Sequence, residues 1–165
     1  MKIDQAERIL DAAAELFARQ GVNAVGMGEV ARAAGCSRAT LYRYFEDRQA
    51  LHVAFVRREA RRIGRLVAAE TDQLADAVLA AVRHVRAAPE LLAWFGAADV
   101  RTTAELAQSD DVIAGLGLTA VGDLADARWL VRVIVSLLVV PGRDEAEERA
   151  MVETYVVPAL AGRIR

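Results

Sequence analysis

The segment from residue 38 to residue 45 is rich in side chains that bind nucleic acid, and it contains no acidic residue. Arginine donates to phosphates and to guanine, hydroxyl groups bond to phosphates or bases, and a methyl group contacts thymine. Leu41 and Phe45 are four residues apart, so they share the buried face of one helix. The other faces then carry Arg38, Ala39, Thr40, Tyr42, Arg43 and Tyr44. This distribution predicts a recognition helix for the major groove of DNA.

The preceding residues predict a first helix and a tight turn. Val30, Ala31 and Ala34 recur at helical spacing and form one apolar face. Gly35 permits a turn that a residue with a Cβ would resist, and Ser37 is a favourable N-cap for the second helix. The two helices therefore have the spacing of a helix–turn–helix.

A helical hairpin with an aromatic core is the alternative for this segment. It accounts for Leu41 and Phe45, which are expected to be buried. It does not account for Tyr42, Arg43 and Tyr44, because these three cannot all point inward together with Leu41 and Phe45. The DNA-binding interpretation is therefore favoured.

From Ile9 to Leu51 the chain resembles the tetracycline-repressor (TetR) family of bacterial transcriptional regulators. The resemblance rests on two segments, ILDAAAELFARQG and EVARAAGCSRATLYRYFEDRQAL. It implies an all-α, dimeric and ligand-responsive regulator, usually a repressor. We therefore expect a three-helix, helix–turn–helix DNA-binding head at residues 1–46. Residues 47–165 are expected to form a helical body for effector binding and dimerisation.

Three positions depart from the family pattern and one follows it. Gly26 stands where the family usually has a Thr or Ser cap, and Gly28 stands where members often have a polar, base-reading side chain. Glycine cannot supply that contact, so we expect the second helix of the motif to carry most of the readout. Cys36 stands where the family prefers valine and is expected to be a small buried residue. Arg48 matches the usual lysine at the start of the fourth helix, which resembles a phosphate clamp.

These observations divide the DNA contacts into two classes. We expect Arg38 and Arg43, with the methyl of Ala39 and the hydroxyl of Thr40, to read base edges. Phosphate contacts are expected from Tyr42, Tyr44 and Arg48. Contacts of the first class specify the sequence, whereas contacts of the second class position the protein on any duplex.

Composition and charge fit this division of the chain. The 165 residues are 55% apolar and only 5% aromatic, which favours helices packed on helices. The net charge is −2, but residues 1–65 hold 12 Lys and Arg against 8 Asp and Glu, whereas residues 66–165 hold 9 against 15. A basic head and an acidic body suit DNA contact at one end only. The single cysteine excludes an internal disulfide, and with no visible signal peptide it predicts a cytoplasmic protein.

A fourth helix is predicted from Asp47 or Arg48 to about Ala69. Four apolar residues are expected to hold it to the rest of the chain: Leu51, Phe55, Ile63 and Leu66. Further arginines along this helix are interpreted as a solvated face or as partners of the acidic body: Arg57, Arg58, Arg61, Arg62 and Arg65.

The body is predicted to be a series of helices broken at Pro89, around Gly115–Gly117 and at Pro141–Gly142. Pro89 suits the first turn of a short helix, and Ser109 suits the cap of the next one. A helix from about Leu124 to Val140 follows, and its second half is apolar on nearly all sides. It is too short and too charged to span a bilayer.

The two C-terminal helices, predicted over 124–140 and 144–160, resemble the paired dimerisation helices of the family. Asp144 and Glu147 are expected to form a capping box, and Pro158 to kink or end the last helix. A helix apolar on all sides must be buried on both sides, so one side needs a partner. We expect a homodimer on a palindromic operator, with Val135 and Leu138 in the interface.

The resemblance also implies an effector cavity in the body. Mostly apolar candidates indicate a hydrophobic or amphipathic small molecule. The predicted lining residues, for each of which an ordinary core position is the commoner role, are Phe55, Val78, Val82, Leu92, Trp94, Phe95, Ile113 and Leu116. Possible polar contacts come from His84, Arg86 or Thr102.

Other chemistry has little support in the sequence. His52 and His84 have no Cys or acidic partner at metal-ligand spacing, so neither a metal nor a cofactor is expected. No Gly-rich phosphate loop, nucleophile elbow or convergent carboxylate pair is visible, so an enzyme is not expected. Two alternatives to a ligand-released repressor remain, namely a dimeric regulator without a ligand and an architectural DNA-binding protein.

Overall fold

The computed structural model describes residues 4–97, 108–118 and 121–161. These ranges are all-α and contain no strand. The predicted polar contact at Thr102 lies outside them. The helices of the head are α1 (Gln5–Gln20), a 3-10 turn (Val22–Ala24), α2 (Met27–Ala33) and α3 (Arg38–Tyr44). Those that follow are α4 (Arg48–Glu70), α5 (Leu74–Arg86), α6 (Pro89–Ala97), α7 (Asp110–Gly115), α8 (Leu124–Val139), α9 (Glu145–Met151), a π-helical turn (Val152–Val156) and α10 (Val157–Leu160).

The head helices begin and end where the sequence predicts. The Ser37 hydroxyl accepts from the backbone N–H of Thr40 at 3.0 Å and caps α3. Gly35 has φ +64°, a left-handed conformation that glycine adopts without a Cβ clash. Gly26 is the N-cap of α2 and makes no side-chain bond. The Asp4 carboxylate caps α1 by accepting from the N–H of Ala6.

Helix α4 runs from the head into the body and joins the two. Its 23 residues give it a length of about 35 Å. The Asp47 carboxylate caps it by accepting from the N–H of Ala50 at 2.7 Å. Phe55 is buried where it packs edge-on against Phe17 of α1, with ring centroids 5.3 Å apart. Leu66 was predicted to be buried and is 37% exposed, because it lies one residue away from the buried face that carries Ile63 and Val67.

The body packs α5 and α7 against α4, and α8 against α5. Pro89 begins α6 as predicted, at a position where its missing N–H costs nothing. Ser109 is the N-cap of α7 but makes no side-chain bond. Helices α4 and α7 approach closely where Gly64 faces the backbone of Gly115.

The C-terminal segments differ from the prediction in three details. Asp123 and Asp126 form a capping box at the start of α8, which was not predicted from the sequence. Asp144 caps α9 as predicted, but the Glu147 side chain accepts from the N–H of Arg143 and not from that of the cap. Helical structure continues past Pro158 to Leu160.

The π-helical turn explains how the helix accommodates Pro158. The proline ring would clash with the carbonyl four residues earlier in a regular α-helix. That carbonyl belongs to Thr154, which lies inside the wider turn of residues 152–156. The helix therefore continues through Pro158 by a local widening.

In the part of the chain that the structure describes, no helix combines the length and the apolar character that crossing a membrane requires.

Candidate nucleic-acid interface and body cavity

The exposed surface of α3 carries the residues predicted to contact DNA. Leu41 is fully buried and Phe45 nearly so, which fixes α3 on the head by the face opposite to this surface. Tyr42 and Tyr44 are 48% and 40% exposed. The remaining side chains of the predicted set on α3 are exposed, apart from one that is half-buried: Arg38, Ala39, Arg43 and, half-buried, Thr40.

The two arginines of α3 are free to donate to an external acceptor. Arg43 places its Cζ 5.4 Å from the centroid of the Tyr44 ring, a cation–π arrangement that restricts the guanidinium without using its donors. Neither Arg38 nor Arg43 forms an ion pair within the described ranges. A guanidinium without an intramolecular carboxylate keeps its fork of donors for phosphate or guanine.

Thr40 and Arg48 already have intramolecular partners. The hydroxyls of Thr40 and Ser37 are 2.9 Å apart and hydrogen-bonded. The Arg48 guanidinium donates to the backbone carbonyl of Val22 at 2.5 Å, which joins the start of α4 to the turn after α1. Arg48 therefore supports the head in this structure, and its phosphate contact stays a prediction.

Cys36 was expected to be buried. The structure shows it half-buried at the turn between α2 and α3. It packs against the apolar core of the head together with Met27. The small thiol is thus in contact with the core on one side and solvent on the other.

A small apolar cavity lies inside the body. Its volume is about 60 Å³, and side chains of α4, α5, α6, α7 and α8 contribute to its wall. Phe95 and Leu116 of the predicted set line it. Beside it a groove of about 360 Å³ runs along α4 and α5 and includes Val78 and Leu116. The cavity and the groove share Ala81, Leu116 and Ile134.

Five residues of the predicted lining line neither the cavity nor the groove. Leu92 is 43% exposed, because it lies on the outer face of α6. The other four are buried in packed core: Phe55, Val82, Trp94 and Ile113. Trp94 packs edge-on against Phe95 with ring centroids 5.3 Å apart, so it supports the wall from behind.

The two predicted polar contacts that the structure describes are engaged elsewhere. His84 Nε2 lies 2.6 Å from Glu70 Oε1 on the outside of α5. Arg86 forms an ion pair with Glu148, and the hydrogen bonds in that pair raise the pKa of Arg86. Neither side chain faces the cavity.

Glu59 is a wall residue that the sequence analysis missed. It is 4% exposed and lines the cavity from α4. Its carboxylate accepts from Arg62 Nε at 2.6 Å and from Arg58 Nε at 3.2 Å, so the buried charge is paired. The signal was present in the sequence, because Glu59 lies four residues from both Phe55 and Ile63 and shares their buried face.

The arginine stripe of α4, which consists of the arginines at positions 57, 58, 61, 62 and 65, has members that pair with both the head and the body. Arg57 contacts Asp111 of α7 at 3.0 Å. Arg58 contacts Asp11 of α1 at 2.7 Å, which was not anticipated because only the acidic body was considered as a partner. The stripe thus stabilises the position of α4 between its neighbours.

Val135 and Leu138 were predicted to lie in a dimer interface. In the single chain both are half-buried, and both line the cavity. The exposed apolar residues at the C-terminal end of α8 and on the last helical segments are instead Val139, Val140, Met151 and Tyr155. Val139 lies four residues after Val135 on the same face of α8 but in its last turn, so exposure changes along the helix as well as around it.

Among the described residues there is no group of three or more His, Cys, Asp or Glu side chains that could hold a metal ion.

Comparison with known proteins places these features in a family. Residues 9–55 match the family described as bacterial regulatory proteins, tetR family. An uncharacterised HTH-type transcriptional regulator of Mycobacterium tuberculosis is 44% identical over 169 residues, which cover 93% of this chain and 84% of that one.

Solved structures agree with the fold. The TetR family repressor AlkX from Dietzia, implicated in biodegradation of n-alkanes, superposes with a TM-score of 0.67 at 20% identity and covers 96% of this chain and 98% of its own. A TetR transcriptional regulator from Rhodococcus gives a TM-score of 0.67 at 24% identity, with 98% and 97% covered. With the exposed α3 surface, these matches show that the chain belongs to the TetR family of DNA-binding, helix–turn–helix transcriptional regulators.

Proposed function

We propose that this regulator is a homodimeric, sequence-specific repressor that reads a palindromic operator with α3 and is released by a small hydrophobic ligand. The observation that carries the proposal is the exposed face of α3. It presents two tyrosines, no acid and two guanidinium groups that have no carboxylate partner among the described residues, on a helix whose opposite face is buried. A rigid helix with free donors is what direct readout in the major groove requires.

Within this proposal the residues of the head have separate roles. Arg38 and Arg43, with Ala39 and Thr40, read base edges. Tyr42 and Tyr44 bind phosphates. Arg48 adds a phosphate contact and also donates a hydrogen bond to the Val22 carbonyl, which joins α4 to the turn after α1. The bond between Thr40 and Ser37 leaves the Thr40 methyl as its more available group for a thymine.

Selection of duplexes from a randomised pool tests this part of the proposal. A sequence-specific regulator enriches one motif with two-fold symmetry, and its affinity for that duplex exceeds its affinity for a shuffled duplex by about 10³-fold or more. An architectural protein enriches no motif. Binding must be compared at one salt concentration, because phosphate contacts make both affinities salt-dependent.

Dimerisation is proposed through the last helical segments. Val140 and Tyr155 are each 71% exposed in the single chain, an unusual degree for large apolar residues of a folded domain. Exposed apolar patches mark interaction sites, and a two-fold interface uses the same patch on both copies. A four-helix contact made by α8 and the last helical segments of two chains would bury these side chains.

Ligand release is the least direct part of the proposal. The wall of the cavity is apolar except for Glu59, which its arginine partners neutralise. An apolar wall suits an apolar ligand, and α4 connects this wall to the DNA-binding head. A ligand changes DNA affinity only if it binds one arrangement of the heads better than another.

A dimeric regulator without a ligand is the second candidate, and the cavity volume favours it. A volume of about 60 Å³ holds only about two water molecules, whereas an engineered cavity of about 150 Å³ is needed for benzene. A ligand of ordinary size would have to open the cavity into the adjoining groove across Leu116 and Ile134.

A screen that measures both melting temperature and DNA affinity separates the two candidates. A straight-chain alkane, a fatty alcohol and a fatty acid are suitable probes, with Phe95→Ala as the wall variant and Leu92→Ala as the exposed control on the same helix. The ligand-released regulator shows a compound that raises the melting temperature and weakens DNA binding, at a concentration shifted in Phe95→Ala alone. If none of the compounds changes either quantity, the ligand-free regulator is supported.

A further inference from the structure

Gly28 and Arg38 share one space at the junction of α2 and α3. A Cβ built on Gly28 would lie 2.6 Å from Arg38 Nε and 2.7 Å from Arg38 Cζ, and closer still to Nη2. Real Cβ atoms do not approach other heavy atoms this closely. The Arg38 guanidinium therefore occupies the position that a side chain at residue 28 would take.

The backbone does not require glycine at residue 28. Gly28 is not among the glycines with positive φ, which are Gly21, Gly35, Gly117 and Gly122. It is the second residue of α2. In a helix, glycine lowers the equilibrium constant for helix formation by about twofold to fivefold relative to alanine. Space for Arg38 is thus the physical property that glycine supplies at this position.

The free guanidinium gives this arrangement a consequence for DNA binding. Arg38 is the first residue of α3, it is exposed, and it has no ion pair among the described residues. A long side chain in water samples many rotamers, and ordering it on binding costs free energy. Contact with the bare backbone at Gly28 limits those rotamers while it leaves the donors of the guanidinium open.

We propose that Gly28 is a specificity-determining residue, because it admits the Arg38 guanidinium onto the first turn of α2 and so sets the base that Arg38 reads. This inference rests on the proposed readout by α3. Gly28 itself contacts no base, and it acts by positioning Arg38. A side chain at residue 28 displaces the flexible end of Arg38, so the head still folds while the readout changes.

Gly28→Ala tests the positioning role, with Gly26→Ser as the matched control. Gly26 lies two residues earlier, and a Cβ there meets nothing within 4 Å. The measurements are the melting temperature and the affinity for the pool-selected duplex and for duplexes that each carry one substituted base pair. We expect Gly28→Ala to melt at or above the wild-type temperature. We also expect a loss of about 5- to 150-fold in discrimination at one base pair of each half-site. Gly26→Ser should keep the wild-type preference.

The same measurements in an Arg38→Ala background identify the cause. Arg38→Ala should relax the preference at the same base pair, and adding Gly28→Ala should then have no further effect. If Gly28→Ala keeps full discrimination, or lowers it equally with and without Arg38, the positioning role is refuted while readout by Arg38 stands. If Arg38→Ala leaves the preference unchanged, the readout by Arg38 fails and the inference fails with it.

Discussion

Arg86 and Glu148 form a two-pronged ion pair that fixes the last helical segments to the body. Arg86 Nη1 donates to Glu148 Oε2 at 2.9 Å, and Nη2 donates to Oε1 at 2.7 Å. Glu148 also accepts from the N–H of Gly142, and Arg86 also donates to the carbonyl of Leu137. One pair thus joins α5, the end of α8, the turn after it and α9. Arg86 was considered from the sequence as a polar contact for an effector, and in the structure its guanidinium is engaged by Glu148 and Leu137.

Removal of this carboxylate should destabilise the protein strongly. Glu148 is 3% exposed, so Glu148→Ala removes a buried acceptor from the Gly142 N–H and from the Arg86 guanidinium, which keeps only the carbonyl of Leu137. We expect the free energy of unfolding in urea to fall by about 3 kcal/mol. The exposed pair of Arg83 and Glu70 provides the control, since Arg83→Gln should cost about 0–1 kcal/mol. Equal losses in the two variants would contradict the structural role of the buried pair.

The same pair gives the protein a pH dependence in acid. The hydrogen bonds from Arg86 lower the pKa of Glu148 below its ordinary value of 4.5. A lowered carboxyl pKa contributes stability that is fully present above the ordinary value and is lost as the pH falls through the native value. In Glu148→Gln this part of the loss of stability at low pH should be absent, as urea unfolding at a series of acidic pH values would measure.

His52 should make the protein less stable between pH 7 and pH 5. Its ring lies edge-on to Phe17, with centroids 5.2 Å apart, and burial with the nearby Arg48 charge lowers its pKa from 6.5 to about 4. The unfolded chain then binds a proton below pH 6.5 that the native state refuses, so stability falls as the pH falls toward 4. We expect a loss of about 1 kcal/mol by pH 5, after a discount for the partial exposure of the ring. Unfolding curves of wild type and His52→Gln at the two pH values measure it. If the free energy of unfolding of His52→Gln falls between pH 7 and pH 5 as much as that of the wild type, the loss belongs to another group.

Any side chain at Gly64 should destabilise the protein, because α4 packs there against the backbone at the end of α7. A Cβ on Gly64 would lie 3.0 Å from the Cα of Leu116 and closer to the carbonyl oxygen of Gly115. Backbone atoms cannot move aside as a flexible side chain can, so Gly64→Ala should cost about 1–3 kcal/mol. Gly96→Ala in α6 is the control, since its Cβ would meet nothing within 4 Å and alanine favours the helix by up to about 1 kcal/mol. Denaturant unfolding that ranks the two variants equally would place the helix contact elsewhere.

Tyr155 should be important for dimerisation, whereas Val135 should not lie between subunits. Tyr155→Arg places a charge on the exposed patch without disturbing the core of the single chain, so light scattering should report a folded monomer. Val135→Ala enlarges the cavity, so the variant should remain a dimer but be less stable to unfolding. A full-size dimer in Tyr155→Arg at micromolar concentration would show that the interface lies on another surface.

The helix boundaries could be predicted because they depend on local chemistry. Ser37 and Asp47 cap helices through their own side chains, and Pro89 begins α6 at a position that suits proline. The exposed face of α3 was also predictable from local sequence, since Leu41 and Phe45 fix which face of the helix is buried. These features depend on residues within four or five positions of each other.

The faces of α8 could not be predicted, because that helix is apolar on nearly all sides. The positions of Val135 and Leu138 in the cavity wall depend on how α4, α5 and α6 pack around them. Leu92 and Phe95 are similarly apolar neighbours on α6, and only the tertiary contacts place one outside and the other inside. The contact of Arg38 with Gly28 is of the same kind, since it joins two helices across a turn.

The affinity of Arg43→Ala for matched and mismatched duplexes tests the central claim most directly. Arg43 lies on the exposed face of α3 with its donors free, so its loss should cost about 1–3 kcal/mol on the pool-selected duplex and relax the preference at one base pair of each half-site. Arg57→Ala on α4, whose partner is Asp111, serves as the control and should leave the preference intact. Affinities are measured by fluorescence anisotropy at one salt concentration. Readout by α3 predicts a loss confined to the matched duplex, and an equal loss on matched, mismatched and shuffled duplexes would contradict it.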